Sequence, residues 1–187
     1  MFVFTKNHPK LLLYLEITAV ALNLLFTVLY IMGTAWCFPF AIIGSALFIF
    51  LCFIRGLFAE TALQIFYVGF AIYGWLTFFS EGKTELWPAE QHLCFLLLGV
   101  LAWVVVSYLL RHYTTSKMPI IDTFTTVFSV MATWIMVNFD PVNWYYWIII
   151  DAVAIYLYAA RKMYVGASMF LIYLILAIIG LMTSLSP

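Results

Sequence analysis

Seven long segments of this chain each contain at most one charged residue, and each is about the 17–25 residues that a helix needs to cross a bilayer. With 67% hydrophobic and 9% charged residues, the composition excludes a soluble globular protein. The sequence therefore predicts an all-α integral membrane protein, with residues 1–187 forming a single membrane domain. The predicted transmembrane helices are 11–33, 36–53, 57–80, 91–110, 118–138, 142–160 and 163–184.

The basic residues indicate how these helices cross the membrane. Seven of the eight Lys and Arg residues lie on alternate connections, and Lys83 is the exception. Short loops that carry positive charge stay in the cytoplasm, so the N-terminus is predicted inside and the C-terminus outside. The formal net charge of zero argues against a nucleic-acid partner, and the predicted surroundings are the lipid bilayer.

The first three and the last three helices resemble each other when the sequence is shifted by 106 residues, which aligns Tyr67 with Tyr173 and Gly74 with Gly180. A single helix between the two copies gives both the same orientation. Parallel repeats of this kind occur in transporters, with the substrate near the midplane. We therefore predict a 3+1+3 arrangement of two parallel three-helix repeats and a linker helix. The repeats are 11–80 and 118–184, and the linker helix between them is 91–110.

The sixth segment has a polar face. Asn143, Trp147 and Asp151 follow at i, i+4 and i+8, with Trp144 beside them. The amide can bond hydroxyls, the indoles can stack on flat or cationic rings, and the carboxylate attracts positive charge. This face predicts a binding surface for a small cationic aromatic molecule. Two alternatives remain open: a helix–helix hydrogen bond for Asp151, and the interfacial aromatic belt for Trp144.

The third segment repeats this pattern. Gln64, Tyr67, Ala71 and Trp75 lie on one face of a helix, and Gln64 has two donors and two acceptor sites that are costly to bury without a partner. We therefore include Gln64, Tyr67 and Trp75 among the candidate substrate-binding residues.

The other chemistry-bearing residues do not form a reactive site. Three acidic residues lie near the predicted cytoplasmic ends of their helices: Glu16, Glu60 and Asp122. Whether they form ion pairs at the membrane interface or have a functional role remains open. The three cysteines are isolated and the three histidines are scattered, so we predict no metal and no cofactor. Phosphate-loop, zinc-protease and serine-hydrolase motifs are absent from the sequence. A membrane-embedded enzyme or a seven-helix sensor is therefore a remote alternative to a transporter.

Two stretches resemble the PnuC family of bacterial vitamin transporters. The first is Leu-Phe-Ala-Glu-Thr-Ala-Leu-Gln-Ile-Phe-Tyr at 57–67 with Ile-Tyr-Gly-Trp at 72–75, similar to that family's aromatic–Ala–acidic, Leu-Gln and Tyr-Gly-Trp pattern. The second is the Asn-Trp-x-x-Trp signature that begins at Asn143. The similarity extends from about Tyr14 to Leu181.

This resemblance implies a SWEET-like fold and a transporter for nicotinamide riboside in the bacterial inner membrane, with a cytoplasmic N-terminus and a periplasmic C-terminus. It implies facilitated diffusion, with a cytosolic kinase trapping the product. Thiamine or another B vitamin is the alternative substrate, because relatives on the same scaffold carry those vitamins. Ion coupling and a homo-oligomeric state both remain open. The residues that it places around the substrate are Gln64, Trp75, Asn143, Trp144 and Trp147.

Overall fold

The computed structural model describes residues 9–54, 58–78, 86–113, 118–160 and 164–185, and every regular element within these ranges is an α-helix. Each predicted segment coincides with a helix to within a few residues at either end, so the all-α prediction is confirmed. The helices are α1 (Pro9–Ile31), α2 (Cys37–Ile54), α3 (Phe58–Phe78), α4 (Ala89–Tyr113), α5 (Pro119–Val137), α6 (Asn143–Ala160) and α7 (Tyr164–Leu185).

Six of the helices in the described ranges are long and apolar enough to cross a membrane, and α6 is the one that does not meet this measure. Its 18 residues extend over roughly 27 Å, close to the thickness of the hydrocarbon core. Its composition is the reason, because Asn143, Asp151, two indoles and several tyrosines lower its mean hydropathy. The helix that departs from the pattern is therefore the one whose polar face stands out in the sequence.

The helices belong to two compact units, Met1–Gly82 and Lys83–Pro187. In the first unit, α2 packs against both α1 and α3. In the second unit, α4 packs against α5, α5 against α6, and α6 against α7. The middle helix of each predicted repeat thus contacts both of its neighbours, while the parallel relation between the repeats stays a prediction. The predicted linker helix is α4, which belongs to the second unit.

Close packing in the second unit joins α4 to α5. Gly99 lies so near Met131 that the sulfur atom occupies the space a side chain at Gly99 would need. Further along, the Trp103 indole N–H donates to the Ile120 carbonyl at 2.8 Å. Because α5 in turn packs on α6, these contacts give the polar helix a fixed support.

A tight turn connects α5 to α6. Helix α5 ends at Val137, and Phe139 is the non-glycine residue with a positive φ, 58°, among those described. The Phe139 N–H donates to the Met136 carbonyl at 2.9 Å, and the Asp140 N–H donates to the Ile135 carbonyl at 3.3 Å. This turn determines where Asp140 lies relative to the first residues of α6.

The charge pattern used to predict orientation falls mainly outside the described residues. Of the eight Lys and Arg residues, Lys10 and Arg111 lie within the described ranges. Orientation therefore remains a prediction from the sequence. The basic residues outside the described ranges are Lys6, Arg55, Lys83, Lys117, Arg161 and Lys162.

Candidate functional site

The structure places the polar residues of α6 as the spacing predicts. Asn143, Trp147 and Asp151 share one face, which extends for about 12 Å along the helix axis. The side chains at its two ends are almost completely buried, with Asn143 1% and Asp151 3% exposed. Burying an amide or a carboxyl group is unfavourable unless a partner replaces the lost water. The buried amide of Asn143 and the buried carboxyl group of Asp151 therefore need a partner that replaces water.

The Asn143 side chain has one hydrogen-bonded end and one free end. Its Nδ2 donates to the Asp140 carbonyl at 2.6 Å, and this contact requires the amide nitrogen to be on that side. Its Oδ1 is buried and has no hydrogen-bond partner among the described residues. An unsatisfied buried acceptor costs about 1–3 kcal/mol. A ligand hydroxyl that donates to Oδ1 would remove this cost.

Asp140, which the sequence reasoning missed, organises the start of α6. Its Oδ1 accepts a hydrogen bond from the Val142 N–H at 2.9 Å, which forms the local turn that begins the helix. Its Oδ2 lies 3.2 Å from His92 Nε2 and accepts from the Trp87 N–H at 3.3 Å. The Asp-Pro pair ahead of the polar face is a turn signal in the sequence. No sequence signal could have connected it to His92, which lies at the start of another helix.

Trp144 is packed inside the second unit. Its side chain is 6% exposed, and its ring lies against Gly180 of α7. A tryptophan of the interfacial belt faces lipid headgroups, so this burial argues against the belt interpretation. At a shift of 108 residues the sequence also aligns Trp36 with Trp144, and Trp36 is 72% exposed. The two aligned tryptophans therefore have different environments.

Trp147 is partly buried and packs against a core formed by Phe128, Met131, Ala132 and Ile150. Trp147 is thus anchored on this core and remains partly exposed. Asp151 lies one turn further along the same face, near the middle of α6. These positions are compatible with a cationic ring placed between an indole and a carboxylate.

The second candidate face lies on α3, in the first unit. The helix is continuous from Phe58 to Phe78, so Gln64, Tyr67 and Trp75 share one side of it. Gln64 and Tyr67 are half-buried, and Trp75 is 37% exposed. The structure thus confirms that these residues lie along one helix face, while their binding role stays a prediction.

Comparison with known proteins decides the family. The family model described as "Nicotinamide mononucleotide transporter" matches residues 13–184. The chain belongs to this family of transporters. It is therefore a multi-pass membrane transport protein and not an enzyme, and the resemblance to the PnuC family is confirmed.

The fold has a counterpart among solved structures. The "Crystal structure of the Vitamin B3 transporter PnuC" is similar with a TM-score of 0.72 and 22% sequence identity, over 97% of this chain and 83% of that chain. At this identity the likeness supports the fold. No curated protein matches the chain significantly.

Proposed function

We propose that the protein carries nicotinamide riboside, a form of vitamin B3, across the bacterial inner membrane. The observation that supports this most directly is the buried, unpartnered Oδ1 of Asn143 at one end of a face that also contains Trp147 and Asp151. Nicotinamide riboside has a flat pyridinium ring with a positive charge and a ribose with hydroxyl groups. Trp147 would stack on the ring, Asp151 would attract its charge, and Asn143 would accept a hydroxyl hydrogen bond.

The charges on the two candidate helices favour the riboside over the mononucleotide. A phosphate group is usually recognised by Arg or Lys side chains. Helices α3 and α6 contain Glu60 and Asp151 but no Lys or Arg. A doubly charged phosphate would thus meet like charge within the membrane, whereas the uncharged ribose hydroxyls suit the Asn143 amide. In this proposal Gln64, Tyr67 and Trp75 form a second binding surface, on α3.

Transport would be facilitated diffusion, as the family resemblance implies. The sequence contains no motif for ATP hydrolysis, which leaves passive or ion-coupled transport. A cytosolic kinase would phosphorylate the product and thereby keep it in the cell. The N-terminus would be cytoplasmic and the C-terminus periplasmic, in accordance with the basic residues. Thiamine is the second candidate, since it also combines a cationic ring with a hydroxyl group and suits the pairing of Trp147 with Asp151.

Uptake into liposomes tests this proposal. Purified protein should equilibrate labelled nicotinamide riboside across the bilayer without ATP and without an ion gradient. Excess unlabelled riboside should compete strongly, thiamine less, and nicotinamide mononucleotide least. Strict dependence on a proton or sodium gradient would refute facilitated diffusion. Faster transport of thiamine than of the riboside would instead make thiamine the substrate.

A further inference from the structure

A buried carboxylate connects the beginning of the linker helix with the beginning of α6. Asp140 is 3% exposed, and both of its carboxylate oxygens have partners. Its Oδ2 is 3.2 Å from His92 Nε2 in the first turn of α4 and 3.3 Å from the Trp87 N–H just before that helix. Its Oδ1 accepts the Val142 N–H at 2.9 Å. A single side chain therefore fixes the distance between these two helix ends.

The His92 ring is itself held in place. The centre of the Trp87 ring is 5.5 Å from that of His92, and the Phe95 ring meets Trp87 edge-on at 5.3 Å. Asp140 Oδ2 already accepts the Trp87 N–H, and His92 Nδ1 has no hydrogen-bond partner among the described residues, which makes His92 Nε2 the donor in its contact with Asp140. The donor thus comes from a ring that aromatic packing keeps in one orientation.

The network continues from Asp140 into the proposed binding site. The Asp140 main-chain carbonyl accepts the Asn143 Nδ2–H at 2.6 Å and the Asn143 backbone N–H at 3.1 Å. The preceding residue, Phe139, has a φ of 58°, a conformation that persists only where its surroundings hold it. The direction in which Asn143 Oδ1 points therefore depends on where the carbonyl of Asp140 is held.

We propose that His92 and Asp140 are positioning residues for the substrate. Through Asn143, they orient an acceptor toward a ribose hydroxyl, although neither of them touches the ligand. The linker helix α4 would thus contribute to specificity for a hydroxylated substrate. The inference rests on the proposed function, because it assigns Asn143 Oδ1 to the substrate.

A purely structural role for His92 and Asp140 would affect ligand binding differently from a positioning role. Loss of a general packing contact would weaken binding of every ligand and would do so whether or not Asn143 is present. Loss of a positioning contact removes only the interaction made by Asn143. Its effect should therefore disappear once Asn143 is replaced, which is the non-additivity that a double-mutant cycle detects.

The cycle combines His92→Leu with Asn143→Ala, and binding of nicotinamide riboside is measured by calorimetry on folded, detergent-purified protein. His92→Leu should weaken binding about twofold to tenfold, the range of one hydrogen bond, and should have little further effect in the Asn143→Ala background. His92→Gln, which keeps a donor near the Nε2 position, should bind like the parent. A riboside analogue without ribose hydroxyls should not distinguish His92→Leu from the parent. Equal losses in both backgrounds, or no loss at all, would overturn the inference.

Hydrogen exchange without ligand separates this inference from the proposed function. The peptide that covers 138–147 should exchange faster in His92→Leu than in the parent, and His92→Gln should retain the parent's protection. Unchanged exchange in His92→Leu would overturn the positioning role. A parent protein that fails to bind nicotinamide riboside would overturn the proposed function instead, while the exchange result would still show whether His92 fixes the Asn143 turn.

Discussion

The indole of Trp144 lies against Gly180, in space that a side chain at residue 180 would need. Helix α6 can therefore bring this large ring against α7 because α7 has a glycine at the point of contact. Trp144 directly follows Asn143, so the position of the indole is linked to that of the amide. The absence of a side chain at Gly180 is thus a structural requirement of the candidate site.

Gly180→Ala should displace the Trp144 ring and with it the first turn of α6. Adding a methyl group to a filled site typically costs about 1–3 kcal/mol of folding stability. We expect a lower unfolding temperature in detergent together with weaker binding of nicotinamide riboside. Gly69→Ala is the matched control, because a methyl group at Gly69 of α3 would meet no atom within 4 Å among the described residues, apart from its own helix backbone and chain neighbours. If both variants behave like the parent, the packing of Trp144 on Gly180 matters neither for folding stability nor for binding of nicotinamide riboside.

Asn143→Ala should separate binding from stability. Removing the unsatisfied Oδ1 stabilises the folded protein. Removing the Nδ2 hydrogen bond to the Asp140 carbonyl destabilises it, and the two effects oppose each other. We therefore expect an unfolding temperature close to that of the parent. Affinity for nicotinamide riboside should nevertheless fall about twofold to tenfold, as for one lost hydrogen bond. A large loss of stability with unchanged affinity would mark Asn143 as a structural residue only.

The polar face of α6 could be predicted because a helical period turns the spacing i, i+4, i+8 into a single face. The environment of Trp144 could not be predicted in this way. A tryptophan near the end of an apolar segment suits both a lipid interface and a packed site, and the choice depends on Gly180 of another helix. The contact between His92 and Asp140 could not be predicted from the sequence either, since the two residues lie on separate elements and no sequence motif connects them.

Trp147→Ala should weaken riboside binding by roughly 1–3 kcal/mol, the value for an aromatic ring stacked on a base, which is about five- to 150-fold in Kd. Because Trp147 also packs on the α5 core, Trp147→Phe is needed to keep an aromatic anchor, and it should bind with an intermediate affinity. Ile149→Ala is the control for truncating a side chain on the same helix outside the candidate face, since Ile149 lies on another face and is 56% exposed. Calorimetry on folded variants gives the comparison. Parent-like binding by Trp147→Ala would place the substrate ring elsewhere.

A reporter fused after Pro187 tests the orientation. Seven of the eight Lys and Arg residues lie on the connections predicted to be cytoplasmic, which predicts that the seventh helix ends outside. Alkaline phosphatase at this position should be active, and a fluorescent protein that folds only in the cytoplasm should be dark. The opposite result would contradict the predicted orientation of the seven helices.

Asp151→Asn tests whether charge, and not shape, makes α6 selective. The substitution keeps the size of the side chain and removes its ability to carry a negative charge, so a cationic ring loses an attractive partner at a position that is 3% exposed. Nicotinamide riboside and thiamine should both bind more weakly to this variant, whereas a neutral vitamin such as riboflavin should be affected less. Competition against labelled riboside measures all three ligands on the same protein. If the affinities for the cationic and neutral ligands change by the same factor, the carboxyl group serves as a hydrogen-bonding contact between helices, and the attraction for a positive ring arises from the indoles alone.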